Sequence, residues 1–218
     1  NAYYKKFMPK ELDEVKMLYV HGHGPGLIHM TKKPVTKLED LKGMKIRSTG
    51  LASKLVLALG AAPVGTTMPE TYDALRTGVA EGAMAPIQAL KGFRWGEVIG
   101  YTILNYGSSY STGFFIAMNK AKWNALPADI KKIFEQVSEE YAEKTGALWD
   151  STDKDGIKFI TDKGVKMIAL SKEEDARWAA AVKPLLNGYV DEMKAKNLPG
   201  DEALKFCQDF IKANQKAK

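Results

Sequence analysis

The side chain whose position carries most chemical consequence is Arg47. It stands near the C-terminal end of a predicted strand, Met44–Ser48, and is followed at once by the turn Thr49-Gly50 and an apolar helix, Ala52–Leu59. In open α/β sheets, ligands bind outside the carboxyl ends of strands. Free N–H groups at a helix start favour an anion, and an arginine beside them adds a planar fork matched to a carboxylate. Gly50 would let the backbone approach a ligand closely. Arg47 therefore has two readings that the residues alone leave open: a carboxylate site, or a strand-end arginine in a surface salt bridge.

Other chemistry is thinner. His21, His23 and His29 include a His-x-His pair, but Gly22 separates the pair in the glycine-rich stretch HGHGPG and no cysteine lies nearby to complete a ligand set, so no metal is expected. Tyr106, Ser108, Tyr110 and Thr112 place hydroxyls in a segment that reads either as solute contact or as a polar linker. No serine there sits in a Gly-x-Ser-x-Gly elbow, and no glycine-rich run ends in Gly-Lys-Ser/Thr. Phe93 and Trp95 fall on a helical pattern and read as packing. Cys207 is the single cysteine, so it has no internal disulfide partner, and its helical context marks it as a small core residue. No nucleophile, base or metal set is complete, so no enzyme and no cofactor is expected.

The elements that must position Arg47 follow a regular order. Val15–Val20 reads as a strand, Leu27–Met30 as a second apolar patch and Leu38–Leu41 as a helical turn. After Ala52–Leu59 come a strand at Ala61–Gly65, a helix begun by Pro69 and closed by Gly78, a strand at Ala83–Ala85 and a helix at Gln88–Ile99. Such strand–helix alternation at short spacing predicts crossovers onto a parallel sheet. Downstream, Phe114–Met118 reads as a strand. A long helix runs to about residue 163, with Ile130, Ile133, Phe134, Val137 and Tyr141 at helical spacing. Val165–Leu170 reads as a strand, Ser171 with Glu174 as a capping box, and Pro184 as an interruption before a last helix over 201–214.

The 218 residues are 45% hydrophobic and 27% charged, a folding composition with no stretch of membrane-spanning length. The net charge of +6 comes from lysines interleaved with acids, as in Lys131-Lys132 before Glu135 and Glu139. With no zinc-finger spacing and no arginine-rich run, no nucleic-acid partner is expected.

One longer pattern remains. LEDLKGMKIRSTG from Leu38, then LGAAPVGTTMPETYDALRTGVAEGAMAP ending at Pro86, resembles the solute receptors of TRAP transporters, the dicarboxylate-receptor type. The shared positions are Asp40–Gly43, Lys45–Arg47, Leu59–Ala61 with Pro63, and Glu70, Tyr72, Ala74, Leu75, Thr77, Gly78, Glu81, Gly82 and Pro86. The resemblance implies a two-lobed α/β fold like that of periplasmic binding proteins, with mostly parallel sheets flanked by helices and a long connecting helix. Lobe I would take residues 1–24 in part and 111–150. Lobe II would take 25–110, and 151–218 would hold the rest of lobe II and the C-terminal helices. The same resemblance implies a periplasmic receptor, its signal peptide removed, that holds a small organic acid and delivers it to TRAP membrane subunits. A ligand-binding part of a sensory system, or an α/β enzyme acting on small acids, are the alternatives. Arg47 would hold the substrate carboxylate, with Thr49, Gly50, Met68, Met84, Ala85 and Tyr110 lining the site. Members for sialic acid carry a second arginine in the segment around Leu27, and none stands here. Met84-Ala85 occupies the place where other members put polar or acidic residues, which points to a monocarboxylate with an apolar or aromatic body. The family's leader and the first strands and helices of lobe I are expected to lie outside this sequence.

Overall fold

Within the chain, contacts cluster into two compact units. The computed structural model describes residues 1–214. The first unit takes Asn1–Gly22, Gly113–Ala147 and the chain from Leu186 onward; the second takes His23–Thr112 and Leu148–Leu185. The sequence pattern draws no boundary near 185, yet the chain returns there to the first unit.

The second unit is built on a six-stranded sheet. Its strands, in chain order, are β2 (Gly26–Met30), β3 (Lys45–Arg47), β4 (Ala62–Val64), β5 (Gly82–Pro86), β6 (Tyr101–Leu104) and β8 (Lys166–Ala169), and they lie in the order β4-β3-β5-β2-β6-β8. β3 pairs in parallel with β4 and β5, and β6 in parallel with β8, as short crossovers demand. β2 runs antiparallel to both of its neighbours, so the sheet is mixed, and its other five strands all run one way, mostly parallel as expected. Pairing direction depends on where the chain re-enters the sheet, which the local pattern of β2 does not encode. All five residues of β2 and of β5 are buried, as expected for strands covered on both faces.

Strand alternation separates two cores. Ile28, Met30, Ile46, Met84 and Ile103 pack on one face with Val56 of α2 (Ala52–Ala58) and Trp178 of α7 (Lys172–Val182). Ala83 and Ala85 face the other side, against Leu75 of α3 (Thr71–Thr77), Leu90 of α4 (Gln88–Gly92), Trp95, and Ile160 of α6 (Ala128–Asp162). Gly78 closes α3 in the left-handed region at φ 79°, a conformation that costs glycine least.

Several elements differ from the sequence pattern. The helix expected over Gln88–Ile99 ends at Gly92; Arg94 turns to φ 61° and a short 3-10 segment, Trp95–Glu97, follows. β6, Tyr-Thr-Ile-Leu, has good strand propensity at the start of a stretch rich in Tyr, Asn and Gly, and its pairing with β2 and β8 fixes it as a strand.

In the first unit, β1 (Val15–Gly22) runs two residues past the expected strand and pairs antiparallel with β7 (Gly113–Asn119), with a bulge between Met17 and Tyr19. The first unit also holds α1 (Ala2–Phe7), α5 (Lys120–Asn124), residues to 147 of α6, α8 (Pro184–Ala195) from Leu186 onward, and α9 (Gly200–Asn214). The apolar stripe of α6 at Ile133, Phe134, Val137 and Tyr141 is exposed, not packed as its spacing predicts. Phe7 meets Phe206 edge-on at 5.6 Å between α1 and α9, and Cys207 beside it is half-buried.

Candidate functional site

Every site residue expected from the sequence lies in the second unit. Arg47 ends β3, beside Val64 of β4 and Ala83 of β5. Because Ile46 points into the Met84 core, strand alternation turns Arg47 to the opposite face. There it is 2% exposed. Its Nε–H and Nη2–H both donate to the Thr66 carbonyl oxygen, at 3.1 and 2.8 Å. The guanidinium carbon stands 5.4 Å over the ring of Trp95. Among the described residues no carboxylate pairs with it; burial pulls its pKa below the ordinary value, opposed only by the nearby Tyr110. A guanidinium carries five N–H donors, and Thr66 takes two of them. A cation desolvated this far without an opposite charge is costly, and it draws an anion to its free edge.

Tyr110 is half-buried, its ring pressed on Gly26 and edge-on to His23 at 5.4 Å. Its hydroxyl donates to the Met84 carbonyl at 3.4 Å. Burial raises the Tyr110 pKa and Arg47 draws it back. Met68 packs at the edge of the core that holds Trp95 and Ala85. The backbone and packing thus link Arg47, Tyr110, Met84, Ala85 and Met68, although the Met84 side chain itself is fully buried on the other face of the sheet.

Thr49 and Gly50 stay exposed in the turn after β3, with Gly50 at φ 54°. The helix-start argument fails here. α2 has only seven residues, and the N–H groups of Ala52, Ser53 and Lys54 already donate to the carbonyls of Thr49, Gly50 and Leu51. The positive charge at this corner comes from Arg47.

Two of the histidines, His29 and His23, are held by hydrogen bonds within the second unit. His29 is fully buried: its Nε2–H donates to the Ala85 carbonyl at 3.0 Å and its Nδ1 accepts from the Thr102 hydroxyl at 3.1 Å. Burial pulls its pKa down to about 4, so it is neutral. His23 Nδ1 donates to the Gly24 carbonyl, and Nε2 accepts from the Thr112 N–H at 3.1 Å. Among the described residues no cluster of His, Cys, Asp and Glu is placed to hold a metal. A concavity of about 900 Å³ belongs to the first unit and holds none of these site residues; a Lys16–Glu135 ion pair of 2.7 Å lies in it.

Two contributors escaped the sequence. Thr66 acts through a carbonyl, which every residue has. Trp95 reads as packing, and it does pack, fully buried; among the described residues its indole N–H has no hydrogen-bond partner.

The sequence model of the family described as bacterial extracellular solute-binding protein, family 7, matches residues 3–193. The chain belongs to that family. A family 7 relative, the C4-dicarboxylate-binding periplasmic protein DctP of Rhodobacter capsulatus, is 26% identical over 174 residues, 78% of this chain and 51% of the relative. The chain spans about half the length of that relative. Among solved structures, a TRAP periplasmic solute binding protein from Desulfovibrio salexigens is 33% identical with a TM-score of 0.86, covering 100% of this chain and 68% of that one. A marine metagenome TRAP solute binding protein specific for aromatic acid ligands, in complex with metahydroxyphenylacetate, is 30% identical with a TM-score of 0.91, covering 99% of this chain and 69% of that one. Family 7 proteins are solute receptors rather than enzymes, and the α/β fold with its long helix agrees with these neighbours. No helix among the described residues is long and apolar enough to cross a membrane.

Proposed function

We propose that this chain is the ligand-binding part of a periplasmic receptor that captures a small organic acid through Arg47 and delivers it to TRAP-type membrane subunits. The observation that carries this reading is the Arg47 guanidinium: buried, oriented by the Thr66 carbonyl and without a carboxylate partner among the described residues. A ligand carboxylate completes the pair that the fold leaves open, in a setting where water competes weakly. The two compact units are the two lobes, and capture shifts the receptor toward a closed form that the transporter recognises.

The substrate class is a monocarboxylate with an aromatic body. Met68, Ala85 and Trp95 supply apolar surface around Arg47, and no arginine or lysine stands in β2 to meet a second carboxylate. The 30% identical neighbour specific for aromatic acids supports the same choice.

Thermal unfolding of the full-length mature protein tests this against C4-dicarboxylates, keto acids, sugar acids and aromatic acids. A ligand that binds only the folded state raises the midpoint by mass action. The expected result is a clear rise with aromatic monocarboxylates, lost in Arg47→Met. A rise that survives Arg47→Met would remove Arg47 from the site. A rise confined to dicarboxylates or sugar acids would overturn the substrate class alone.

A further inference from the structure

We infer that Trp95 is a positioning residue for the carboxylate-binding arginine: its indole face fixes the plane of the Arg47 guanidinium so that the acid is taken end-on, through Nη1 and the outer N–H of Nη2. The inference rests on the reading of Arg47 as the anion site and goes beyond it by naming what sets the geometry.

A guanidinium is a flat group with two faces and a set of donor edges. Its side-on edge, Nε–H with the adjacent Nη2–H, is closed by the Thr66 carbonyl. The guanidinium carbon stands over the Trp95 ring, 5.4 Å from its centroid, within the range where the ring quadrupole attracts a cation. These two restraints act in different directions. The carbonyl fixes rotation within the guanidinium plane, and the ring fixes the tilt of that plane. Three N–H donors remain, and they point away from Thr66. A carboxylate that uses two of them as a fork must approach along the end of the side chain.

Trp95 is itself held too firmly to drift. It is fully buried among Ala83, Ala85, Leu90 and Ile160, with the Phe93 ring 5.9 Å away. The turn that presents it is set by Arg94 at φ 61°, a conformation rarely adopted by a side-chain-bearing residue. Arg94 also clasps Glu97 across that turn through Nε and Nη2, each at 3.0 Å. Gly96 lets the turn close on α6, since a Cβ there would sit 2.9 Å from the Phe159 ring. The Trp95 N–H, buried without a hydrogen-bond partner among the described residues, contributes nothing to this arrangement. The flat face does, so phenylalanine should substitute in part and leucine should not.

The test uses the full-length protein and has two arms. In unliganded protein, nitrogen-15 NMR of the arginine side chains, with the Arg47 signal assigned by its absence in Arg47→Met, reads the platform directly. The expected Arg47 Nε–H resonance is displaced by the ring current and exchanges slowly; Trp95→Phe keeps part of the displacement and Trp95→Leu loses it. A wild-type Arg47 resonance at the ordinary arginine position, exchanging freely, would overturn the inference whether or not Trp95→Leu folds. In the second arm, metahydroxyphenylacetate is titrated calorimetrically. Trp95→Leu is expected to weaken binding roughly tenfold or more, and Trp95→Phe by no more than about threefold. Equal loss in both variants, or none in Trp95→Leu, counts against the platform. If wild-type protein ignores this probe, the aromatic-acid reading fails, and the resonance arm still decides the role of Trp95.

Discussion

Gly26 and Tyr110 are in such close contact that a Cβ built on the glycine would lie 2.1 Å from Cε1 of the tyrosine ring. The same two residues share a backbone hydrogen bond, Gly26 N–H to the Tyr110 carbonyl at 2.7 Å. The first residue of β2 thereby serves as the floor on which Tyr110 rests, and from there the hydroxyl reaches the Met84 carbonyl.

Gly26→Ala tests that floor. The ring is also held edge-on by His23, so it has little room to give way. The variant is expected to lose about 1–3 kcal/mol in urea unfolding, the usual cost of forcing a filled site. Acid binding should weaken with it as Tyr110 is displaced. Unchanged stability would mean that the ring swings aside freely and takes no part in shaping the site.

Arg47→Met separates function from stability. Removing a buried cation that lacks a carboxylate partner is expected to leave the unliganded protein as stable as before, or more stable by about 1–2 kcal/mol, because the desolvation cost disappears. Binding of the acid should fall at least thirtyfold, roughly the effect of truncating one partner of a buried charge pair. Thermal unfolding without ligand and calorimetry with it measure the two effects. A large loss of stability in the unliganded variant would make Arg47 a structural residue.

His29 gives the second unit a dependence on pH. Its folded pKa is about 4 against an ordinary value of 6.5. The unfolded chain therefore binds a proton in this window that the folded protein refuses. Stability is fully present above about pH 6.5, falls as pH drops through the window, and levels off below about 4, for a total of about 3 kcal/mol. Trp95, Trp149 and Trp178 belong to the second unit and Trp123 to the first, so tryptophan fluorescence follows mainly the second. Urea unfolding at pH 7.5, 5.5 and 4.5 should show the loss, and His29→Gln should flatten it. A profile of equal slope in His29→Gln would assign the proton elsewhere.

The β3–α2–β4–α3–β5 run was legible because glycines punctuate it: Gly43, Gly50, Gly60 and Gly78 all take positive φ, at the turns where the pattern breaks. Arg47 was legible because its residue type and strand-end position agree. The rest depended on contacts that the hydrophobic pattern does not show. The antiparallel entry of β2 and the strand β6 arise from partners far along the chain, and the break at Arg94 from a clasp to Glu97 within a pattern that still looks helical. The site's orientation was hidden for a related reason. Thr66 contributes a carbonyl, and Trp95 contributes the face of a ring whose apolar spacing marks it only as core. The N–H groups expected to favour an anion were spent inside the first turn of α2.

Glu174 carries a prediction that the capping pattern alone would miss. The Ser171 hydroxyl accepts from the Glu174 N–H at 3.1 Å, as a capping serine should. The Glu174 carboxylate does not turn back to close the box. Its Oε1 accepts from the Leu38 N–H at 2.6 Å and from the Trp178 indole at 3.0 Å, and Oε2 from Arg177 at 2.8 Å. Trp178 is fully buried in the core that also holds Leu41, so this one carboxylate ties α7 to the turn before β3. Glu174→Ala strands two donors at once, and a buried donor without a partner costs more than the bond it made. The expected outcome is a thermal midpoint lower by roughly 4–8 °C. Glu174→Gln keeps the Oε1 acceptor and should recover most of that loss, whereas the ion pair with the exposed Arg177 contributes little. If Gln behaves like Ala, the charge on Arg177 rather than the two donors is what Glu174 serves.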